Sequence, residues 1–322
     1  MAVLTTSQNR APEGGRWSEP FFGADVARIA AVDFSEITIE TDRLAFPALA
    51  AGDGPVVVCW HGFPDHPATF GPLAERLVAA GRRVVAPFLR GYHSATADAM
   101  PYADGLTLAA DAAAVAAALS PDGVDMIGHD IGAGMVARVL AAWPQRVRRV
   151  VTMAVPPPAT LGAALADPAQ LQRFFYMWLF QVPGVAEAVL AKDRSLVDYL
   201  WATWSPGLTD LGAHRARVHE LYGDARLAAN ALRMYRGNFD TALHDPELAP
   251  LAATTEAVAS LPTLVLAGAD DGCIPPTLFA DAQSGLAAGS RVEILPGAGH
   301  FMHLERPDDV ARLALEWFMP GR

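Results

Sequence analysis

The pentapeptide Gly128-His129-Asp130-Ile131-Gly132 constrains this chain more than any other stretch. Before it, Gly123-Val124-Asp125-Met126-Ile127 reads as a turn leading into a short buried strand. After it, Ala133-Gly134-Met135-Val136-Ala137-Arg138-Val139-Leu140 reads as a helix rich in small residues. Strand, tight turn and helix is the setting a nucleophile elbow needs. The turn strains its middle residue and brings neighbouring backbone close, so glycine or another small residue must flank it. Where the serine of such an elbow would stand, this chain has Asp130. A carboxylate there attacks carbon directly and forms an alkyl-enzyme ester. The identity of that one residue therefore decides the chemistry.

The surrounding chain alternates strands with helices. Residues 35–49 alternate in places (Ile37, Ile39) and suggest an antiparallel hairpin at a sheet edge. Residues 55–60 are a continuous apolar run, as expected of a strand buried on both faces. A helix is predicted over 70–81, a strand over 83–87, a helix over 106–119 and a strand over 147–155. The alternation stops at Pro156-Pro157-Pro158. From there to residue 255 the pattern is helical and aromatic, with Phe174-Phe175-Tyr176-Met177-Trp178-Leu179-Phe180, Tyr199, Trp201, Trp204, Tyr222 and Tyr235. A strand over 261–268, a helix over 276–286, a strand over 291–295 and a helix over 311–319 complete the chain. The expected fold is α/β: a doubly wound, mostly parallel sheet. Its core domain comprises residues 1–155 and 256–322, and residues 156–255 form an inserted helical cap. Residues 1–30 carry little signal; Pro12, Gly14 and Gly15 suggest a loose arm.

An elbow nucleophile needs a base and an acid that orients the base, in the chain order nucleophile, acid, histidine. Gly268-Ala269-Asp270-Asp271 lies where a strand gives way to a loop. The usual Gly-x-x-acid spacing selects Asp271, with Asp270 beside it as the alternative. Pro296-Gly297-Ala298-Gly299-His300 follows the last strand, so His300 sits above the carboxyl edge of the sheet, where ligands bind in such folds. His303, inside the next helical segment, competes with it and reads as a helix-face residue. Taken singly, a Gly-x-Asp-x-Gly is an ordinary turn and a histidine after a strand is an ordinary core residue. The combination in the required order makes a catalytic triad. Two backbone donors complete an oxyanion hole: the N–H of Ile131, at a helix N-terminus, and that of Phe63, in the loop His61-Gly62-Phe63-Pro64. Arg90 reads as structural.

Composition excludes several alternatives. The formal net charge is −11, which argues against a nucleic-acid or anionic-membrane surface. Two cysteines, Cys59 and Cys273, stand far apart in no metal-type spacing, so a reducing cytoplasm is the default and no disulfide framework is expected. Residues 1–17 lack a basic region followed by an apolar stretch, and residues 150–166 are broken by three prolines, so neither a signal peptide nor a membrane span is expected.

These motifs together resemble the α/β-hydrolase fold, and within it the epoxide hydrolase branch. His61-Gly62-Phe63-Pro64 is similar to that branch's HGxP loop, and Gly128-His129-Asp130 with Gly132 to its G-H-D-x-G elbow. Gly299-His300 matches its base. Residues 176–187, Tyr176-Met177-Trp178-Leu179-Phe180-Gln181-Val182-Pro183-Gly184-Val185-Ala186-Glu187, resemble the cap stretch whose leading tyrosine hydrogen-bonds the epoxide oxygen. Met234-Tyr235-Arg236 resembles the surroundings of the second cap tyrosine. From composition alone these tyrosines would be packing residues; the resemblance implies that Tyr176 and Tyr235 are catalytic. One departure is Ile131, where the family commonly has tryptophan. The donor there is backbone, so catalysis survives while the pocket wall changes shape. The resemblance implies a hydrolase acting on ether bonds: a small apolar epoxide and water yield a diol, with no metal and no cofactor. Two rivals share the fold. Haloalkane dehalogenases hold halide with a tryptophan after the nucleophile, and fluoroacetate dehalogenases need arginines that Ile131 and Gly134 do not supply. A non-catalytic receptor would have no use for Asp271 and His300 together. The oligomeric state, monomer or homodimer, stays open.

Overall fold

Apolar runs bounded by glycine and proline become the strands of one eight-stranded sheet. The computed structural model describes residues 32–209, 212–256, 261–280 and 282–319; the expected N-terminal arm lies outside them. In chain order the strands are β1 (Ser35–Glu40), β2 (Ala45–Ala51), β3 (Val56–Trp60), β4 (Arg83–Pro87), β5 (Val124–His129), β6 (Val147–Met153), β7 (Thr263–Gly268) and β8 (Arg291–Leu295). Their spatial order is β1-β2-β4-β3-β5-β6-β7-β8. β1 and β2 pair antiparallel, as does β2 with β4; every pair from β4 to β8 is parallel. This is the doubly wound sheet expected, with the predicted hairpin at one edge.

Helices cover both faces. Helix α1 (Gly71–Ala79) and the C-terminal helix pack on one side, α2 (Gly105–Leu119) and α3 (Ile131–Ala142) on the other. The pleat sorts the side chains of β3: Val57 and Cys59 join the first layer, Val58 and Trp60 the second. All four are fully buried, which is why that strand reads as a continuous apolar run.

Between β6 and β7 the described chain is helical: α4 (Pro158–Ala164), α5 (Pro168–Arg173), α6 (Phe175–Leu179), α7 (Val185–Ala191), α8 (Ser195–Trp204), α9 (Gly212–Gly223), α10 (Ala225–Arg236) and α11 (Ala252–Glu256). Helix α10 shows why the insert packs inward. Leu227, Ala228, Ala231, Leu232, Met234 and Tyr235 recur at helical spacing and are all buried. Asn230 on the same face donates from Nδ2 to the Gly91 and Ala97 carbonyls, at 3.1 and 2.8 Å, tying α10 to the loop after β4. The chain ends with α12 (Met302–Glu305) and α13 (Pro307–Phe318).

Two expectations need correction. Residues 276–286 do not form one helix; the described part holds only single 3-10 turns at Pro276–Phe279 and Ala282–Gly285. Ser284 and Gly285, poor helix formers, close the second turn, so it does not extend into a longer helix. The last helix starts at Pro307, not at residue 311. Proline at its first turn, with Asp308 and Asp309 beside it, suits a helix N-terminus. Among the described residues no helix is long and apolar enough to cross a membrane. Arg90 is structural in the plain sense: Nε and Nη2 grip the two oxygens of buried Asp111, each at 2.6 Å.

Candidate active site

Sheet order alone brings the first parts together. β3 and β5 are neighbours, with Trp60 paired to Gly128, so the loops that follow them meet. Asp130 stands between β5 and α3 at φ 52°, ψ −116°. A non-glycine residue there costs about 1–3 kcal/mol and must be held by its surroundings. Its N–H donates to the Met153 carbonyl at 3.3 Å, and its carboxylate Oδ1 accepts the Phe63 N–H at 2.9 Å. Close packing dictates the small neighbours. A Cβ on Gly132 would strike the Trp60 carbonyl, and one on Gly62 would strike the Asp130 carboxylate. Ile131 is the first residue of α3. Its N–H makes no hydrogen bond to the Asp130 carboxylate in this structure, whereas that of Phe63 does.

β7 and β8 deliver the other charged groups. After β7 the chain turns so that Asp271 Oδ1 accepts the N–H groups of Cys273 and Ile274, at 2.7 and 2.9 Å. Its other oxygen lies 2.8 Å from His300 Nδ1. Asp271, not its exposed neighbour Asp270, meets the histidine. His300 is fully buried, its N–H donates to the Trp204 carbonyl at 3.0 Å, and Nε2 sits 3.5 Å from Asp130 Oδ2. Burial disfavours charge on this imidazole, yet the Asp271 and Asp130 carboxylates overcome it and push its pKa up to about 10. His303 lies in α12, 3.3 Å from Thr69 Oγ1, and does not contact Asp130.

The insert supplies the far wall. A cavity of about 340 Å³ is lined by Asp130 and Ile131 from the core and by Phe174, Tyr176, Met177 and Tyr235 from the insert. Helix α5 anchors this region to the Asp271 loop: Gln170 Nε2 donates to the Cys273 carbonyl at 2.9 Å, and Arg173 Nη1 to the Gly272 carbonyl at 2.7 Å. The rings of Tyr176 and Tyr235 stand edge to face, centroids 5.6 Å apart, and Phe63 packs against both. Their hydroxyls are poorly satisfied. The Tyr235 hydroxyl is buried with no well-formed hydrogen bond, close enough to the Tyr176 phenol to interact with it, and that of Tyr176 has the Cys273 thiol at 3.8 Å besides. Buried polar groups are rarely left so, unless a ligand completes them. Burial pushes both phenols well above their ordinary pKa; the Asp130 charge adds to it.

Sequence reading did not single out Cys273 beside Tyr176, nor Asp65, whose Oδ2 lies 3.2 Å from His129 Nδ1. Cys273 had a signal in its place two residues after the chosen acid. Asp65 had one in directly following the His-Gly-Phe-Pro loop. A second apolar hollow of about 240 Å³ adjoins the first, and the two share Gly134, Val155, Leu161 and Leu165 as walls.

Comparison with known proteins agrees with this construction. The sequence profile of the alpha/beta hydrolase fold matches residues 55–307. Epoxide hydrolase A of Mycobacterium tuberculosis is 28% identical over 321 residues, covering 89% of this chain and 98% of that protein. The crystal structure of Epoxide Hydrolase A from Mycobacterium thermoresistibile is 28% identical, with a TM-score of 0.71 over 90% of this chain and 99% of that one. A variant of epoxide hydrolase from Solanum tuberosum superposes with a TM-score of 0.71 over 88% of this chain and 98% of its own, at 21% identity, a likeness of fold. With its sheet order, its elbow and a family match over most of its length, the chain belongs to the α/β hydrolase fold family.

Proposed function

We propose that this chain is an epoxide hydrolase that opens a small apolar epoxide to a vicinal diol through an ester on Asp130. The observation that carries the reading is the pair of undersatisfied phenols in the same cavity as the Asp130 carboxylate. Residues 156–255 act as the cap that brings them there. The relatives named above, two of them called Epoxide hydrolase A, support the same assignment.

The steps follow from the groups present. Asp130 attacks an epoxide carbon, the carbon–oxygen bond breaks, and Tyr176 and Tyr235 donate hydrogen bonds to the departing oxygen, which takes a proton replenished from solvent. Esterification removes one of the two negative charges that hold a proton on His300, so the imidazole moves toward its neutral, basic form. Oriented by Asp271, it then takes a proton from water as the oxygen attacks the ester carbonyl. The Phe63 and Ile131 N–H groups stabilise the oxyanion. Collapse releases the diol oxygen, which recovers the proton from His300; the carboxylic acid left at Asp130 then passes its own proton to His300, which restores the carboxylate and the protonated imidazole of the resting site. The apolar walls suit an apolar substrate. The acidic charge and two free, buried cysteines fit work in the cytoplasm.

A single turnover in heavy-oxygen water tests the ester directly. The first diol should carry an oxygen from Asp130, and solvent label should enter the enzyme. Label in that first diol would mean direct attack by water and end the covalent reading.

The phenols also set a pH expectation. Ring opening needs them protonated, and burial holds both well above 10.0. Thus kcat/KM should hold up to about 10, where His300 itself loses its proton. A fall with a midpoint near about pH 8, where neither a phenol nor this imidazole should titrate, would remove the tyrosines as donors.

A further inference from the structure

The end of one helix in the insert touches three of the loops that build the site, and the steps above give it no part. Helix α8 stops at Trp204. The Trp204 carbonyl accepts two N–H groups at once: that of Gly272, beside Asp271, at 3.1 Å, and that of His300 at 3.0 Å. Its indole ring lies 4.9 Å from the His300 ring and 5.0 Å from the Tyr176 ring. One turn earlier, Trp201 Nε1 donates to the Pro64 carbonyl, next to Phe63, at 2.7 Å, and its ring stacks on Phe301. The acid loop, the base loop and the Phe63 loop therefore meet on one helix end. The contact is close: a Cβ on Gly272 would strike the Thr203 carbonyl, and one on Gly299 the Trp204 carbonyl.

Ser205, the residue after α8, extends the link. Its backbone N–H closes the helix on the Trp201 carbonyl at 3.0 Å, so the side chain is not needed to end α8. The buried hydroxyl instead accepts the Phe301 N–H at 2.9 Å and donates to Glu305 Oε2 at 2.9 Å. The same oxygen of Glu305 accepts the Gly299 N–H at 2.8 Å. Three consecutive amides, those of Gly299, His300 and Phe301, are thus held by Glu305, Trp204 and Ser205 in turn. Two of these three acceptors belong to the insert. Strand β8 ends at Leu295, so no ladder hydrogen bond reaches these amides. Asp271 orients the imidazole ring, but the backbone from which that ring hangs is set by these three bonds.

We propose that Ser205 and Glu305 are positioning residues for His300: through them the insert sets the distance between the imidazole and Asp130, which is 3.5 Å from Nε2 to Oδ2 in this structure. The inference rests on His300 as the base of the reaction proposed above. The two half-reactions feel the pair unequally. Asp130 attacks without a base, so ester formation tolerates a displaced imidazole. Ester hydrolysis needs Nε2 within hydrogen-bond reach of a water that itself faces the ester carbon, and a misplacement of about 1 Å costs such a step about 100-fold.

The placement is read first, without substrate. Amide hydrogen exchange in Ser205→Ala should quicken by about tenfold or more at Gly299, His300 and Phe301, while β5 and α3 keep their protection. Unchanged exchange at those three amides would overturn the proposal. Single turnovers of styrene oxide are read second. Ester hydrolysis in Ser205→Ala and in Glu305→Leu should slow by about 10- to 100-fold while ester formation changes less than about threefold. Glu305→Gln keeps an acceptor oxygen for Gly299 and Ser205 and should recover about fivefold or more of the Glu305→Leu loss. Glu305→Leu breaks the link from its far side, so it carries the test should Ser205→Ala not fold. Equal slowing of both half-reactions, or no rescue by glutamine, would leave the pair a role in holding the fold alone and overturn the proposal. If the unaltered protein forms no ester, the epoxide reading falls, and the exchange result alone decides whether Ser205 and Glu305 hold the base loop.

Discussion

His300→Gln is expected to form the alkyl-enzyme ester at close to the normal rate and then stall. The two half-reactions make different demands. A carboxylate is already a nucleophile and needs no base, whereas water is a poor one until a proton is taken from it. Glutamine fills the imidazole's volume and accepts or donates hydrogen bonds, but it does not titrate. Intact-mass measurement should therefore show protein plus epoxide accumulating within one turnover, and steady-state turnover should fall by about 100- to 10,000-fold. His303→Gln should leave turnover within a few-fold, since that ring points to Thr69 and not to Asp130. The opposite pattern, an active His300→Gln and an inactive His303→Gln, would move the base to α12.

Much of this arrangement was legible in the chain because it rests on local chemistry. The strands were visible as apolar runs: β3 is buried on both faces and apolar throughout, and β4 is buried and apolar after Arg83. The elbow was visible because its glycines answer to steric contacts that no larger residue survives. The spacing after Gly268 selects Asp271 over Asp270, and the turn through Cys273 and Ile274 supplies the physical reason, because it aims the Asp271 side chain at His300. The pairing of Asp65 with His129 spans 64 positions in the chain, so the place of Asp65 after the His-Gly-Phe-Pro loop marks the residue but not its partner. Residues 276–286 differ for another reason: the segment reads as a helix, but Ser284 and Gly285 do not sustain one. The cap tyrosines are the hardest case. Helix α10 would bury Tyr235 for packing alone, so nothing in its periodicity separates a catalytic phenol from a core aromatic. Tyr92 and Tyr222 also bury hydroxyls without a partner; what separates Tyr235 is that its ring lines the cavity that Asp130 lines.

The Tyr235 hydroxyl sets the test between an epoxide hydrolase and a dehalogenase. A halide leaves as a stable anion and needs no proton. An epoxide oxygen leaves as an alkoxide, which needs a donor where it forms. Ile131 gives the pocket no side-chain N–H to hold a halide, while Tyr176 and Tyr235 bring two phenols to the cavity that Asp130 lines. The phenols stay protonated at neutral pH because burial raises them well above 10.0. Two donors on one oxygen should partly substitute for each other, so Tyr176→Phe and Tyr235→Phe should each slow ring opening by roughly ten- to a thousandfold. The double variant should form almost no ester with an epoxide. It should remain folded, because phenylalanine keeps the edge-to-face packing of these rings on each other and on Phe63. Deleting the Tyr235 hydroxyl removes a buried polar group with no well-formed hydrogen bond, so Tyr235→Phe should raise the melting temperature slightly while lowering the rate. Stability and activity moving in opposite directions would mark a hydroxyl kept for chemistry. Near-normal epoxide turnover in the double variant would take both tyrosines out of the reaction and reopen the dehalogenase reading of the Asp130 ester.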